Sequence, residues 1–351
     1  MPKTSLTEER LREKAKWASK ELQGLRQSKV EDIFTKRYYI SPEDLLVTNF
    51  PRSRPLAAFN PGAFERDGKL FIFPRLIFDY YSYVSSIGVA TVNIEKVING
   101  EIEKPLKVKI ILWPEKIWEF GHGCEDPRFS LFDNTIYMLY TGSRCHHEDD
   151  HLVSKSVLGL AELNPIFEIK RRGYFSITRG NDSFIPSNKD SAFIEVKKDR
   201  ATMLTRVSLG DTALCWRAEA NLKDLTMCEE TLKPVLVPEK WEYKVGWSTN
   251  TVKLSTNEYL VGWHGVLKED LSYRNGLAIV DNSGVLLAVS DYLLAPRGLA
   301  ESYGDRPLVI FGDGLVRYGD YLIWIGGVSD YCIGIFITEL SKALEKLKWI
   351  R

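Results

Sequence analysis

From residue 56 onward the chain reads as short apolar runs broken by tight polar turns. FERDGKLFIFPR (64–75), FSLFDNTIYMLYT (129–141), FIEVKKDRATMLTR (193–206), VKLSTNEYLVGWH (252–264) and VRYGDYLIWIG (316–326) share one pattern. Each is a strand, a polar turn, then a strand of aromatic and branched residues, which is the signature of a β-hairpin. The turn residues Gly68, Asn134, Asp199, Asn257 and Gly319 follow one another at 66, 65, 58 and 62 residues. A regular period near ~60 residues that contains only strands predicts a propeller with one blade per repeat. The second strand of each hairpin is apolar on both faces, as blades stacked face to face require. The expected fold is therefore an all-β, five-bladed propeller.

Ahead of it, residues 5–27 carry a helical period. Ser5 and Glu8 make a capping-box pattern, and Leu11, Ala15, Ala18, Leu22 and Leu25 recur at spacings of four and three. We read residues 1–50 as a helical extension and 51–351 as the propeller domain. The apolar stripe must dock either on the body or on another copy of the chain, which would give a homo-oligomer through the helix. The C-terminal LSKALEKLKW is amphipathic and is expected to pack on the propeller.

Composition narrows the partners. The 351 residues carry 47 basic and 47 acidic side chains, a net charge of +0. No global field then points to nucleic acid or to an anionic membrane. Five cysteines without a CxxC pair read as reduced thiols. With no apolar leader and no spanning run, a cytoplasmic protein is expected.

The polar residues fall in register. Seven positions past the turns stand Arg75, Thr141, Arg206, His264 and Gly326; eight before the first two stand Asn60 and Asp126. The start of one strand and the end of its hairpin partner share an end of the sheet. These side chains should therefore meet on one face around the axis, with Lys189 and Asp190 at nearly the same level. Basic residues converging beside one carboxylate from separate repeats mark a site.

NPGAF (60–64), CEDPRF (124–129), YTG (140–142), NKD (188–190), LTR (204–206), WHG (263–265) with Tyr273, and GGVSD (326–330) resemble glycoside hydrolase family 130, the β-mannoside phosphorylases and their relatives. The resemblance implies a five-bladed propeller and Asp126 as the general acid on the glycosidic oxygen. It implies that Arg75, Lys189, Arg206, His264 and Tyr273 hold phosphate, and that Asn60, Arg128, Asp190 and Asp330 hold sugar. The implied reaction is inverting phosphorolysis of a β-mannoside to α-mannose 1-phosphate, or its reverse. No cofactor or metal is needed, because inorganic phosphate is the co-substrate. Hydrolysis would need a second carboxylate to activate water, whereas phosphate is already an anion and needs cations to place it. A mannoside hydrolase, a mannosyltransferase and a non-catalytic sugar-binding propeller are the alternatives.

Other features compete for a role. CHHEDDH (145–151) looks like a metal site but is crowded into one loop. His122 could touch substrate or cap its loop, and Cys124 reads as a small buried residue. One or two of Trp216, Trp241, Tyr243 and Trp247 are expected to line the cleft. Glu301 is a candidate base for hydrolysis, or orders its loop.

Overall fold

The computed structural model describes residues 5–148 and 151–350, and the side chains of 145–154 lie outside that description. Five blades surround a common axis, each an antiparallel sheet. Blade one runs from the inner strand Ala57–Arg66 through Lys69–Ile77 and Ser85–Asn93 to Leu106–Leu112. Blade two comprises Gly123–Phe132, Thr135–Glu148, His151–Leu163 and Ile169–Tyr174. Blade three is built on Ser187–Lys197, Arg200–Leu209 and Cys215–Asn221. In blade four the inner strand is broken: Glu242–Trp247 and Val252–Lys253 both pair with Tyr259–Leu267. Blade five runs Ile310–Tyr318, Tyr321–Val328, Cys332–Glu339.

All five expected turns join an inner strand to its neighbour. Asp67, Asn134 and Lys198, with Gly68 and Gly319, take left-handed backbone there, which Asn, Asp and Gly tolerate best. Large side chains fill the spaces between blades, and Trp216, Trp247, Trp263 and Trp324 are all fully buried.

The first 50 residues depart from a helical extension. Among the described residues of this segment only Leu6–Glu21 is α-helical, with Ser5 accepting the Glu8 amide at its start and a short 3-10 turn at Pro42–Asp44. Lys36–Ile40 is the outer strand of blade five, antiparallel to Cys332–Glu339, with Lys36 opposite Ile337 and Ile40 opposite Ile333. A strand from the N-terminal segment thus completes the blade whose other strands come from residues 310–339, which closes the ring. Leu45–Val47 pairs parallel to Leu106–Leu112 of blade one. The helix docks on the protein's own blade three: Leu11, Ala15 and Ala18 are buried in that core, with Leu22 and Leu25 packed at its edge. Lys14 pairs with Glu229 at 2.7 Å and Thr7 bonds to Asp182, so the dock is polar at its margins. No described helix is long and apolar enough to cross a membrane.

Candidate active site

The site is built from bulges. In blade one the pairing slips between Phe59 and Gly62, in blade two between Glu125 and Arg128, and in blade three between Lys189 and Ala192. Blade five slips between Gly312 and Gly314. The inserted residues are Asn60-Pro61, Asp126-Pro127, Asp190-Ser191 and Asp313. A bulge bends its strand and re-aims a side chain, and proline suits it because it has no N–H to leave unpaired. Asn60, Asp126 and Asp190 take φ of 43°, 51° and 49°, and Asp330, in the turn after Tyr321–Val328, takes 51°. Left-handed backbone at a non-glycine residue costs ~1–3 kcal/mol and gathers where geometry matters more than stability.

These residues face one cavity of ≈ 380 Å³. Its walls include Asn60, Arg75, Lys189, Arg206, His264, Tyr273, Asp126, Asp190 and Asp330; of the register positions, Thr141 and Gly326 do not line it. Arg128 does not belong to that lining. It is buried behind the cavity, donating to the Ser248 and Asp126 carbonyls at 2.8 Å each. Its other contacts are Asp190 at 3.3 Å and Asp313 at 2.6 Å. The bulge at Asp126-Pro127 resets the alternation of the strand, so Asp126 turns into the cavity and Arg128 ties the blades beneath it.

Asp126 accepts from Asn60 Nδ2 at 3.0 Å and Arg75 Nη1 at 3.2 Å. Arg75 also donates to Glu125 at 3.0 Å and to Ser85 at 2.7 Å. Burial pushes the Glu125 carboxyl up, but Arg75 and then Lys189, 3.3 Å away, outweigh it and hold it below the usual range. Burial likewise opposes ionisation of Asp190, yet Arg206 at 2.6 Å and Arg128 hold it at about 2. Burial drives His264 well below its ordinary value, so it is neutral. Its Nδ1 meets Ser248 Oγ at 3.0 Å, and its ring stacks on Tyr273 at 5.3 Å. Asp330 is pushed up to about 6 by burial, against the pull of Arg75.

The basic residues expected to converge beside one carboxylate are therefore largely neutralised by several. Arg75, Lys189 and Arg206 each have a carboxylate partner, and His264 carries no charge. Two cavity cations lack one, and neither stood in the sequence register. Lys244 and Arg306 lie 5.5 and 5.7 Å from the Tyr273 ring centre and pair with no described carboxylate. Burial first, then Arg206, pushes Lys244 down to about 7. Glu125 and Tyr83 also line the cavity unforeseen. Lys244 had one legible signal. It stands two residues before Gly246, which lies opposite His264, so strand alternation puts it on the same side of the sheet.

His122 lines the cavity. Cys124 is fully buried with its thiol pushed well up by burial, so it is no nucleophile. None of Trp216, Trp241, Tyr243 and Trp247 lines the cavity. The indoles of Trp216 and Trp247 donate to the Val207 and Trp216 carbonyls inside the blade stack. Glu301 is fully buried and bonded to Arg37 and Tyr39, outside the cavity, which removes it as a base. The side chains of 145–151 lie outside the described residues. Among the described residues no group of three or more His, Cys, Asp or Glu side chains could hold a metal ion. A larger groove of ≈ 730 Å³ at the rim of blade one, lined by Val89, Lys96, Lys107 and Phe167, holds no comparable cluster of paired charges.

Comparison with known proteins places this arrangement. Beta-1,2-mannobiose phosphorylase of Thermoanaerobacter sp. (strain X514) is 29% identical over 267 residues, 75% of this chain and 80% of the relative. The 1,2-beta-oligomannan phosphorylase of the same organism is 25% identical over 294 residues, 81% of this chain and 90% of that protein. The solved beta-1,2-mannobiose phosphorylase from Listeria innocua shares the fold with a TM-score of 0.65 at 18% identity, covering 89% of this chain and 99% of the other. The profile of glycoside hydrolase family 130, described as beta-1,4-mannooligosaccharide phosphorylase, matches residues 24–349, and the chain belongs to that family.

Proposed function

We propose that the protein is an inverting β-mannoside phosphorylase. Phosphate attacks the anomeric carbon from the face opposite the leaving oxygen. The new C–O–P bond forms as the glycosidic C–O bond breaks, giving α-mannose 1-phosphate. Asp126 supplies the proton to the departing oxygen, directly or through a sugar hydroxyl, and Asn60 and Arg75 fix its carboxyl. Asn60 and Asp330 hold the mannose; Asp190 orders Arg206 rather than reaching for sugar. Phosphate lies against Arg206, Lys244, Arg306, His264 and Tyr273, with Lys189 on the Glu125 side.

One observation carries this reading. Among the described residues, Lys244 is a largely buried cation with no carboxylate within ion-pair distance, beside Arg306, which likewise has none. An uncompensated charge in a desolvated cleft is costly unless an anion fills the gap. A hydrolytic alternative falls on Asp330. Among the described cavity carboxylates it is the one with no ion pair, though Arg75 and Arg306 act on it from further off, and at about 6 it sits in the range of a base. Incubation with β-1,2- and β-1,4-mannobiose, with and without phosphate, decides between them. Phosphorolysis yields sugar phosphate and consumes nothing without phosphate; equal cleavage in both conditions supports Asp330 and a hydrolase.

A further inference from the structure

The loop that delivers Arg306 hangs from one side chain. Of residues 297–308, only Glu301 is buried, and it is fully so. A charged residue at the sole buried position of an exposed loop needs full pairing, and it has it. Arg37 Nη1 donates to its two oxygens at 2.6 and 2.5 Å, and the Tyr39 hydroxyl donates at 2.7 Å. The Arg297 amide donates to Oε2 at 2.7 Å. Arg37 and Tyr39 both belong to Lys36–Ile40, the strand that closes the ring. Arg37 is itself braced by Asp32 and lies 5.3 Å from the Phe336 ring.

The other side of the loop is sewn to the sugar end of the cavity. The Glu301 carbonyl accepts Ser329 Oγ at 3.2 Å, and the Ser329 carbonyl accepts the Arg306 amide at 3.0 Å. Ser329 precedes Asp330, and both take left-handed backbone, with φ of 53° and 51°. Gly304 leaves no room: a Cβ there would stand 2.5 Å from Ser329 Cβ. The Leu308 carbonyl accepts the Tyr273 amide at 3.0 Å. Arg306, Asp330 and Tyr273 are thus held relative to one another through this one loop.

We propose that Glu301 is a positioning residue for the reaction: clamped by Arg37 and Tyr39 of the closing strand, it sets Arg306 over Tyr273 and holds Asp330 through Ser329. This rests on the phosphorylase reading, because it assigns Arg306 to the phosphate. The ring closure of the fold then has a catalytic consequence, since the strand contributed by the N-terminal segment fixes a side chain in the cavity. Glu301 never touches substrate; it acts through Arg306.

The test is a double-mutant cycle in the phosphate KM. Glu301→Gln keeps the volume and loses the charge that binds Arg37, and Tyr39→Phe removes one bond and no charge. Each should raise the phosphate KM, Glu301→Gln by about tenfold, the scale of one charge-assisted hydrogen bond. The acceptor-sugar KM in the reverse direction should change less than about twofold. Arg306→Ala should raise the phosphate KM at least as much, and adding Glu301→Gln to it should change nothing further. A merely structural role would lower the melting temperature and leave that cycle additive. Unchanged phosphate KM in Tyr39→Phe and Glu301→Gln, or additivity with Arg306→Ala, overturns the proposal. If Glu301→Gln does not fold, Tyr39→Phe carries the same cycle. Wild-type turnover that ignores phosphate would instead sink the functional reading, so the two failures are distinguishable.

Discussion

Replacing Lys244 by methionine should weaken function and strengthen the fold at once. The side chain keeps its length and apolar stem but loses its charge. In the free protein that charge is a liability. Burial and the neighbouring Arg206 and Arg306, with Lys189 beyond, push Lys244 from 10.5 to about 7, and only Asp190 pulls the other way. About half the molecules at pH 7 hold it neutral by that value. Exchanging an ill-compensated buried charge for an apolar side chain stabilises by ~1–4 kcal/mol. In a chain of this size that is a rise of a few degrees in melting temperature, ~2–4 °C per kcal/mol at most. Phosphate binding should suffer in the opposite sense, because a charge-assisted contact worth ~1.5–3 kcal/mol is lost. At ~1.4 kcal/mol per decade that is ~10–100-fold in phosphate KM. A pH scan supplies a third readout. The folded value lies below the unfolded one, so between about 7 and 10.5 only the unfolded chain holds this proton. Stability without phosphate should therefore rise with pH across that window. Lys244→Met should abolish this rise. Differential scanning fluorimetry over pH, with and without phosphate, and initial-rate kinetics give all three. A variant that is less stable, with wild-type phosphate KM, refutes the argument.

Three further outcomes follow from the same geometry. Asp126→Asn should keep the fold and lose ~10²–10⁴-fold in turnover, and less on an aryl mannoside whose leaving group needs little protonation; equal loss on both substrates would show that Asp126 only positions sugar. Arg128→Met should cost ~3–5 kcal/mol in urea unfolding, because Asp190 and Asp313 lose their shared buried cation; a neutral result would contradict its place behind the cavity. Leu11→Ala should cost ~2–5 kcal/mol, since Leu11 is fully buried against blade three, with light scattering showing whether mass also falls; an unchanged melting curve would mean the helix dock contributes nothing.

What could be read from the chain was what repeats locally. Asp67-Gly68, Asp133-Asn134 and their counterparts are turn chemistry within a few residues, and counting from them placed Asn60, Arg75, Arg206 and His264 correctly in one cavity. What could not be read was non-local. The pairing of Lys36–Ile40 with Cys332–Glu339 spans nearly the whole chain and leaves no periodic trace in a short strand. The resemblance assigned Arg128 to sugar, but the bulge at Asp126-Pro127 turns it behind the cavity, onto the Ser248 and Asp126 carbonyls. Asn-Pro and Asp-Pro inside strand-like runs were the unused signal. Lys244 escaped because the inner strand of blade four is broken, so no count from the Asn257 turn reaches it. Trp216 and Trp247 were ambiguous on residue type alone, and the blade stack claimed both.

The central claim is that phosphate, not water, attacks the anomeric carbon beside Asp126. Turnover of β-mannobiose in ¹⁸O-labelled water with unlabelled phosphate, followed by mass spectrometry of the products, tests it most directly. The account predicts α-mannose 1-phosphate and mannose, neither carrying ¹⁸O at the anomeric carbon beyond the slow exchange of free sugar. Rapid incorporation of ¹⁸O into the released mannose, without sugar phosphate, would contradict it.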